Sequence, residues 1–302
     1  MSARVYFVLL LCGLSACQTP EKDPLASSDL AEVRALMAAG ENGSAWRTLQ
    51  GLEKEDFDRF AQAEYSQLAG DLAYKNGDFD LAIRNYENFL LAGATAQDSL
   101  QAAARLFEMG CAYMDGEVRI LGVFSDSHRG VVTLQNLAAW APDSPYAPEC
   151  LARVAGAAFE SNRFGEADAD YKTLLRFYPN SEWADLARFR IGLCGLERVK
   201  GPWSDPKLIA QAMNQLETYL AQAPSGLHRE EAIEAVSHLE ELAAQHEVLV
   251  GDYYLSIGNI RGARLHFKEA AGRQGTSAAE TANLRLADLP PDPVPLDPEI
   301  QP

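Results

Sequence analysis

Two distant segments of the chain share one pattern of small, apolar and polar positions. Each begins with Gly-Asp and has a second Gly seven residues later, followed by an Ala and an aromatic residue 12 and 16 residues after the first Gly. The first segment covers residues 70–86 and ends at Tyr86, and the second covers residues 251–267 and ends at Phe267. The apolar spacing on both sides of the second Gly predicts two amphipathic helices joined by a turn.

This helix–turn–helix pattern is the signature of the tetratricopeptide repeat, a unit of about 34 residues. A third copy runs through residues 155–179 without insertion, and copies in residues 110–142 and 192–224 need extra residues between their helices. A shortened pair suits residues 29–52. Because one pair cannot bury its own apolar stripe, neighbouring pairs must stack. We predict an all-α fold, a right-handed solenoid of about six tetratricopeptide-type helix pairs over residues 29–287.

Two segments near the C-terminus depart from the short repeat. Residues 227–255 keep helical periodicity with no Pro and only Gly251 inside, which predicts one long helix. Residues 288–302 contain six Pro among 15 residues, which predicts an extended, disordered tail.

The N-terminus has the pattern of a secretory signal. Residues 1–16 carry one positive charge and then an apolar stretch over residues 5–14, too short to span a bilayer. The closing sequence Leu-Ser-Ala-Cys, ending at Cys17, resembles the lipobox of bacterial lipoproteins, which implies cleavage before Cys17 and acylation, for example with palmitate. Gln18 rather than Asp at the second mature position implies the outer membrane, and residues 17–28 suit a tether. An ordinary signal cleaved near a chance cysteine is the alternative.

Composition excludes several function classes. The chain has 302 residues, 47% of them hydrophobic, so it is long enough and apolar enough for a folded core. Its 43 acidic residues outnumber 26 Lys and Arg, for a formal net charge of -17. A body that acidic repels phosphate backbones, so we expect no nucleic-acid partner.

Motifs for catalysis and metal binding fail on their specifics. His246-Glu247 begins an H-E-x-x-H zinc pattern, but the fifth position is Val250. No phosphate-binding loop, dinucleotide fingerprint or nucleophile elbow occurs in the sequence. Three cysteines, Cys111, Cys150 and Cys194, fall in predicted first helices, where a free Cys is most often a small buried hydrophobe, and their spacing leaves disulfide pairing open. We therefore expect no enzymatic activity, no cofactor and no metal.

Several short motifs occur in the order found in one known family. They are Tyr-Pro-Asn-Ser at residues 178–181, Asp205-Pro206 opening a helix, Ala-Pro-Ser at residues 223–225, and Tyr253-Tyr254 followed by Gly258. Together with Cys17 and most of residues 65–273, the chain resembles the BamD-like lipoproteins of outer-membrane β-barrel assembly. The resemblance implies stacked tetratricopeptide repeats anchored to the periplasmic face of the outer membrane, without enzymatic activity. The family commonly has Arg where this chain has His266, and it has five pairs.

The resemblance also implies two binding surfaces. In the family, the N-terminal repeats receive unfolded barrel proteins and the C-terminal repeats dock on the barrel-forming subunit, so we expect both surfaces in this chain. Placing the repeat template on this chain predicts a peptide-binding groove along the first helices, formed by Tyr74, Phe107, Met114, Phe159, Phe189, Leu193 and Leu196. The same side chains suit packing between helices equally well, since a helical aromatic stripe is more often core than site.

The last repeat carries a local basic patch in an acidic chain. Ala263 and Phe267 match buried repeat positions, which leaves the basic residues for solvent. We predict that this patch docks a larger membrane partner through Arg261, Arg264, His266 and Lys268. Neutralisation within the chain, by Glu269 or by the acidic tail, is the alternative.

The repeats also fit a protein of another class. A general cell-envelope scaffold for cell-wall or division proteins needs the same helix pairs and the same anchor, because repeats specify a surface and not its ligand.

Overall fold

The computed structural model describes residues 27–52, 57–92, 96–120 and 124–291. The predicted signal over residues 1–16, the predicted lipidation site Cys17 and most of the predicted tether lie outside the described residues, as do residues 292–302 of the predicted tail.

The chain divides into two compact units, Met1–Ala96 and Gln97–Pro302. In the first unit a short 3-10 helix, Ser27–Leu30, precedes α1 (Ala31–Ala38), α2 (Asn42–Gln50), α3 (Arg59–Lys75) and α4 (Phe79–Leu91). Val33, Leu49 and Leu72 belong to one buried cluster built from α1, α2 and α3. This unit therefore contains two of the predicted helix pairs, each with its apolar faces turned inward.

The second unit continues the pairs, and each helix from α6 onward contacts the next one along the chain. Its helices are α5 (Ala96–Met114, beginning at the unit boundary), α6 (Ser127–Trp140), α7 (Ala147–Glu160), α8 (Phe164–Phe177), α9 (Ala184–Arg198), α10 (Pro206–Gln222), α11 (Arg229–Ser256), α12 (Ile260–Gly272) and α13 (Ser277–Asp288). The described residues thus contain six helix pairs and one further helix. The predicted all-α fold of stacked tetratricopeptide-type pairs is confirmed.

In the pairs α3–α4, α7–α8 and α11–α12 the turn depends on the second residue after the first helix. Gly77 and Gly258 follow first helices with positive φ values of 75° and 77°, a backbone conformation that a Cβ atom disfavours. Asn162 takes the equivalent place after α7 with a φ of 59°, which Asn tolerates better than most residues. The next helix is then capped: Asp78 and Asn259 accept hydrogen bonds from the backbone N–H three residues later, at 3.1 and 2.9 Å.

The small residue of the first helix lies against the aromatic residue of the second. A Cβ atom at Gly70 would lie 2.8 Å from the ring of Tyr86, and one at Gly251 would lie 2.5 Å from the ring of Phe267. Both rings are almost completely buried. The two residues that lie 16 positions apart in the sequence therefore pack against each other across the two helices of one pair. Glycine allows the backbone of the first helix to approach the ring closely.

A short hairpin occupies part of the insertion in the third pair. Strands β1 (Arg119–Ile120) and β2 (Phe124–Ser125) pair antiparallel between α5 and α6. The sequence predicts only extra residues here and no strands, because four paired residues are too few to give a strand period.

Helix α11 is 28 residues long and confirms the long helix predicted for residues 227–255. It also caps α13, a single helix after the last pair: Glu241 accepts hydrogen bonds of 2.7 Å from both the backbone N–H and the hydroxyl of Ser277. Burial alone would raise the pKa of Glu241, but hydrogen bonds from Ser277, Gln245 and the backbone of Ala278 outweigh it and hold the pKa below its usual range. The long helix thus supports both the last pair and the helix beyond it.

Candidate functional site

A cavity of about 630 Å³ crosses the first helices of three successive pairs in the second unit. Its apolar lining includes Met114, Val131, Trp183 and Leu186. Its charged lining comprises Asp115, Arg153, Glu160, Arg163 and Arg190, with His128 beside them. Surfaces formed by the first helices of stacked repeats are where such proteins bind extended partners, so this cavity is the candidate site.

Two arginines of the cavity rest on aromatic rings. The guanidinium of Arg153 lies 5.7 Å from the ring centre of Phe107, and that of Arg190 lies 4.6 Å from the ring centre of Phe159. Both distances are within reach of a cation–π interaction. Neither arginine is among the site residues predicted from the sequence. Both occupy the same place in their repeats, two residues before the small residue of the first helix, which is Ala155 for Arg153 and Gly192 for Arg190, but this place alone does not show that they line a cavity.

The predicted groove residues take several different places. Met114 lines the cavity itself. Phe107 and Phe159 are half-buried beneath the arginines, where Phe107 stacks on Tyr146 with ring centres 5.0 Å apart. Tyr74 lies in the first unit and stacks on Phe79 with ring centres 5.8 Å apart.

Phe189 is a core residue, and its predicted place in the groove is wrong. Its side chain is only 2% exposed and stacks on His228, with ring centres 4.6 Å apart. The ring fills the space between α9, α10 and α11, where Leu193 and Leu196 pack, half-buried, against the same cluster. The repeat template could not show this, because the covering residues come from the next pair.

The basic residues of α12 form a surface without His266. Arg261, Arg264 and Lys268 line a groove of about 920 Å³ together with Leu265 and the first prolines of the tail. The Arg264 guanidinium donates a hydrogen bond to the carbonyl of Pro290. Neither Arg261 nor Lys268 forms an ion pair with any residue that the structure describes.

His266 faces α11 instead. Its Nδ1 lies 2.7 Å from Oε2 of Glu247, and its ring stacks on Tyr254 with centres 5.2 Å apart. His266 therefore does not line the groove that Arg261, Arg264 and Lys268 share, and its Nδ1 has a partner within the chain. The patch consists of Arg261, Arg264 and Lys268, and we call these three residues the α12 patch.

The ionisable groups near the cavity are held in definite charge states. Burial, the largest single influence, would lower the pKa of Arg153, but the 2.8 Å hydrogen bond to Glu149 and the nearby negative charges of Glu149 and Asp115 together outweigh it and raise the pKa. Burial raises the pKa of Tyr171 and of the Cys194 thiol to about 12, so both are uncharged at neutral pH. The arginines of the cavity therefore stand beside a Tyr171 hydroxyl that is uncharged, and Asp115 and Glu160 are the acidic side chains of the lining.

The residues that the structure describes contain no group of three or more His, Cys, Asp or Glu side chains that could hold a metal ion. None of their helices combines the length and the hydropathy needed to cross a bilayer.

The part of the chain that contains most of the cavity is similar to a known protein family. Residues 124–264 match the family model described as YfiO, outer membrane lipoprotein. The resemblance is confirmed over this stretch. It extends from β2 to Arg264 of α12 and so contains Arg153, Arg163 and Arg190 of the cavity.

Solved structures give weaker similarities. A tetratricopeptide repeat protein from Parabacteroides merdae ATCC 43184 is 14% identical with a TM-score of 0.33, covering 86% of this chain and 97% of that chain. MamA protein is 17% identical with a TM-score of 0.33, covering 76% of this chain and 98% of that chain. These scores are too low to define the fold, which rests on the helix pairs described above. No curated protein is significantly similar to the chain in sequence.

Proposed function

We propose that the chain is a non-enzymatic scaffold lipoprotein of outer-membrane β-barrel assembly. The observation that carries the proposal is the match of residues 124–264 to a family of outer membrane lipoproteins. In this role the repeats bind unfolded barrel proteins, and the last repeat docks on the barrel-forming subunit. Lipid chains on Cys17 hold the protein at the periplasmic face of the outer membrane.

The cavity across α5, α7 and α9 supports the binding of unfolded clients. It combines apolar lining residues such as Met114 and Leu186 with charged ones. An extended chain offers alternating apolar side chains and unpaired backbone groups, and both find partners on such a surface. Met114 adds a flexible side chain that adapts to different sequences.

The α12 patch supports docking on a larger partner. Arg261 and Lys268 are exposed and have no ion-pair partner among the described residues, in a chain whose formal net charge is -17. An acidic surface on the partner is attracted to such a patch and steered toward it. Leu265, which is 66% exposed, supplies apolar area beside the charges.

Depletion of the protein tests the proposal. Outer-membrane barrel proteins should fall in the depleted cells and recover when the natural chain is supplied. The variant Arg261→Glu/Lys268→Glu should restore neither the barrel proteins nor co-purification with the barrel-forming subunit. A matched variant, Lys207→Glu/Arg229→Glu, reverses two exposed charges on α10 and α11 and should restore both.

The alternative role predicts a different result. If depletion disturbs the cell wall or division while barrel proteins keep their levels, the protein is a general envelope scaffold and the proposal is wrong.

A further inference from the structure

Some charged side chains in the cavity across α5, α7 and α9 have a partner of opposite charge among the described residues and others do not. Three arginines line it, against two carboxylates, Asp115 and Glu160. Two of the arginines are already paired: Arg153 hydrogen-bonds to Glu149 at 2.8 Å, and Arg163 to Glu166 at 2.6 Å. These two cations are therefore largely neutralised within the chain.

Arg190 is the exception. It forms no ion pair with a described residue, and its Nε atom is buried without a hydrogen-bond partner. Its contact is the face of Phe159, with the guanidinium carbon 4.6 Å from the ring centre. Tyr171 and Cys194, which interact with it electrostatically, are uncharged at neutral pH because burial raises the pKa of each to about 12.

An unpaired guanidinium in a partly desolvated site favours an anion. Removing a cation from water costs free energy that a nearby negative charge offsets, and guanidinium matches a carboxylate with two parallel hydrogen bonds. The ring of Phe159 supports the guanidinium from one side. Glu160 lines the same cavity but forms no ion pair with Arg190.

The size and lining of the cavity limit what can carry that anion. A volume of about 630 Å³ lies within the range of ligand sites in proteins. Trp183, the N-cap residue of α9, and Leu186, one helical turn before Arg190, give the cavity an apolar wall. A bare inorganic anion would leave this wall uncovered, whereas a peptide segment with an apolar side chain next to its carboxylate would cover it.

We propose that Arg190 is a carboxylate-binding position for peptide clients, with the client's neighbouring apolar side chain against Trp183 and Leu186. The inference rests on the proposed role of the repeats in binding unfolded chains. The carboxylate is either the C-terminus of the client or an Asp or Glu side chain within it.

Three synthetic peptides separate these sources. All share one ten-residue sequence of alternating apolar and neutral polar residues: the first has a free C-terminus, the second is amidated, and the third is amidated with one internal Asp. Binding to the full chain is measured by isothermal titration calorimetry, which needs no charged label. The protein should bind the first or third peptide roughly tenfold or more tightly than the second, and added salt should reduce this preference.

Variants of α9 assign the preference to Arg190. Arg190→Gln should lose it, and Arg190→Glu should instead favour a peptide with a Lys in place of the Asp. Arg198→Gln makes the same change at an exposed position near the end of the same helix and should keep the preference. Circular dichroism of each variant checks that the helices remain.

Each other result overturns the inference in a recognisable way. Equal binding of all three peptides, unchanged in Arg190→Gln, would remove the carboxylate position and leave client binding intact. No binding of any peptide would remove both the carboxylate position and the client-binding part of the proposed function.

Discussion

Gly251 lies so close to Phe267 that replacing it by Ala should destabilise the protein, whereas the same replacement at Gly156 should stabilise it. Gly251→Ala should destabilise the pair α11–α12, because the new methyl carbon would lie 2.5 Å from one ring carbon of Phe267 and 2.6 Å from another. Carbon atoms in contact lie about 3.5–4.0 Å apart, so the ring must move by about 1 Å. Phe267 is 0% exposed and packs in a cluster with Ala263, Ala270 and Ala282, which leaves it little room.

The magnitude follows from two opposing contributions. Overpacking a core costs about 1–3 kcal/mol, and replacing Gly by Ala inside a helix returns about 1 kcal/mol. The net loss for Gly251→Ala is therefore between about zero and 2 kcal/mol. Gly156→Ala in α7 is the matched control, because the nearest atom to its new methyl, the Tyr171 hydroxyl oxygen, is 3.8 Å away. It should stabilise α7 by about 0.5–1 kcal/mol.

Amide hydrogen exchange measures the opening free energy of each pair separately, which suits a repeat protein. The double variant Gly251→Ala/Phe267→Leu isolates the contact: with the ring removed, Gly251→Ala should cost nothing or become favourable. If Gly251→Ala costs the same in both backgrounds, or if it stabilises as Gly156→Ala does, the account of this contact is wrong.

Three further predictions concern single side chains. Glu241→Gln should reduce exchange protection in α13 by about 0.5–2 kcal/mol. Because the pKa of Glu241 is lowered in the folded protein, the stability that this carboxylate contributes is present at neutral pH and disappears as the pH falls through the folded-state pKa. An equal loss of protection at neutral and at strongly acidic pH would contradict this prediction. Iodoacetamide and peptide mapping should find Cys111 modified before Cys150 and Cys194, whose thiols are buried with pKa values raised to about 12; equal rates would refute this. Cys17→Ser should release the protein from membranes, and unchanged fractionation would exclude the lipid anchor.

The helix pairs could be predicted from the sequence because their determinants are local. A Gly at the turn and a small residue 16 positions before an aromatic each reflect a contact within one pair, as Gly70 and Tyr86 show. The long helix was equally visible, since no Pro interrupts residues 229–256. Helix α13 was not predicted as a separate element, because its first turn depends on Glu241, which is 36 residues away in the sequence.

The candidate site was harder to predict, because it depends on contacts between pairs. The template placed aromatic rings on one face, but it could not show that Arg190 lies over Phe159 or that His228 covers Phe189. These contacts join residues of neighbouring repeats, and no periodic pattern within one repeat encodes them. The helices that line the cavity can therefore be predicted from the sequence, whereas the charges that define its chemistry cannot.

Helix α11 is one continuous helix that contacts the elements carrying both proposed binding surfaces. At 28 residues it is about 42 Å long. Its contacts with α9 and α10 connect it to the cavity side, and its contacts with α12 and α13 connect it to the α12 patch. The described backbone has no turn within it where these surfaces could hinge. A partner that holds α12 therefore also limits where a client in the cavity is presented, because one unbroken helix lies against both α12 and the helices beside the cavity.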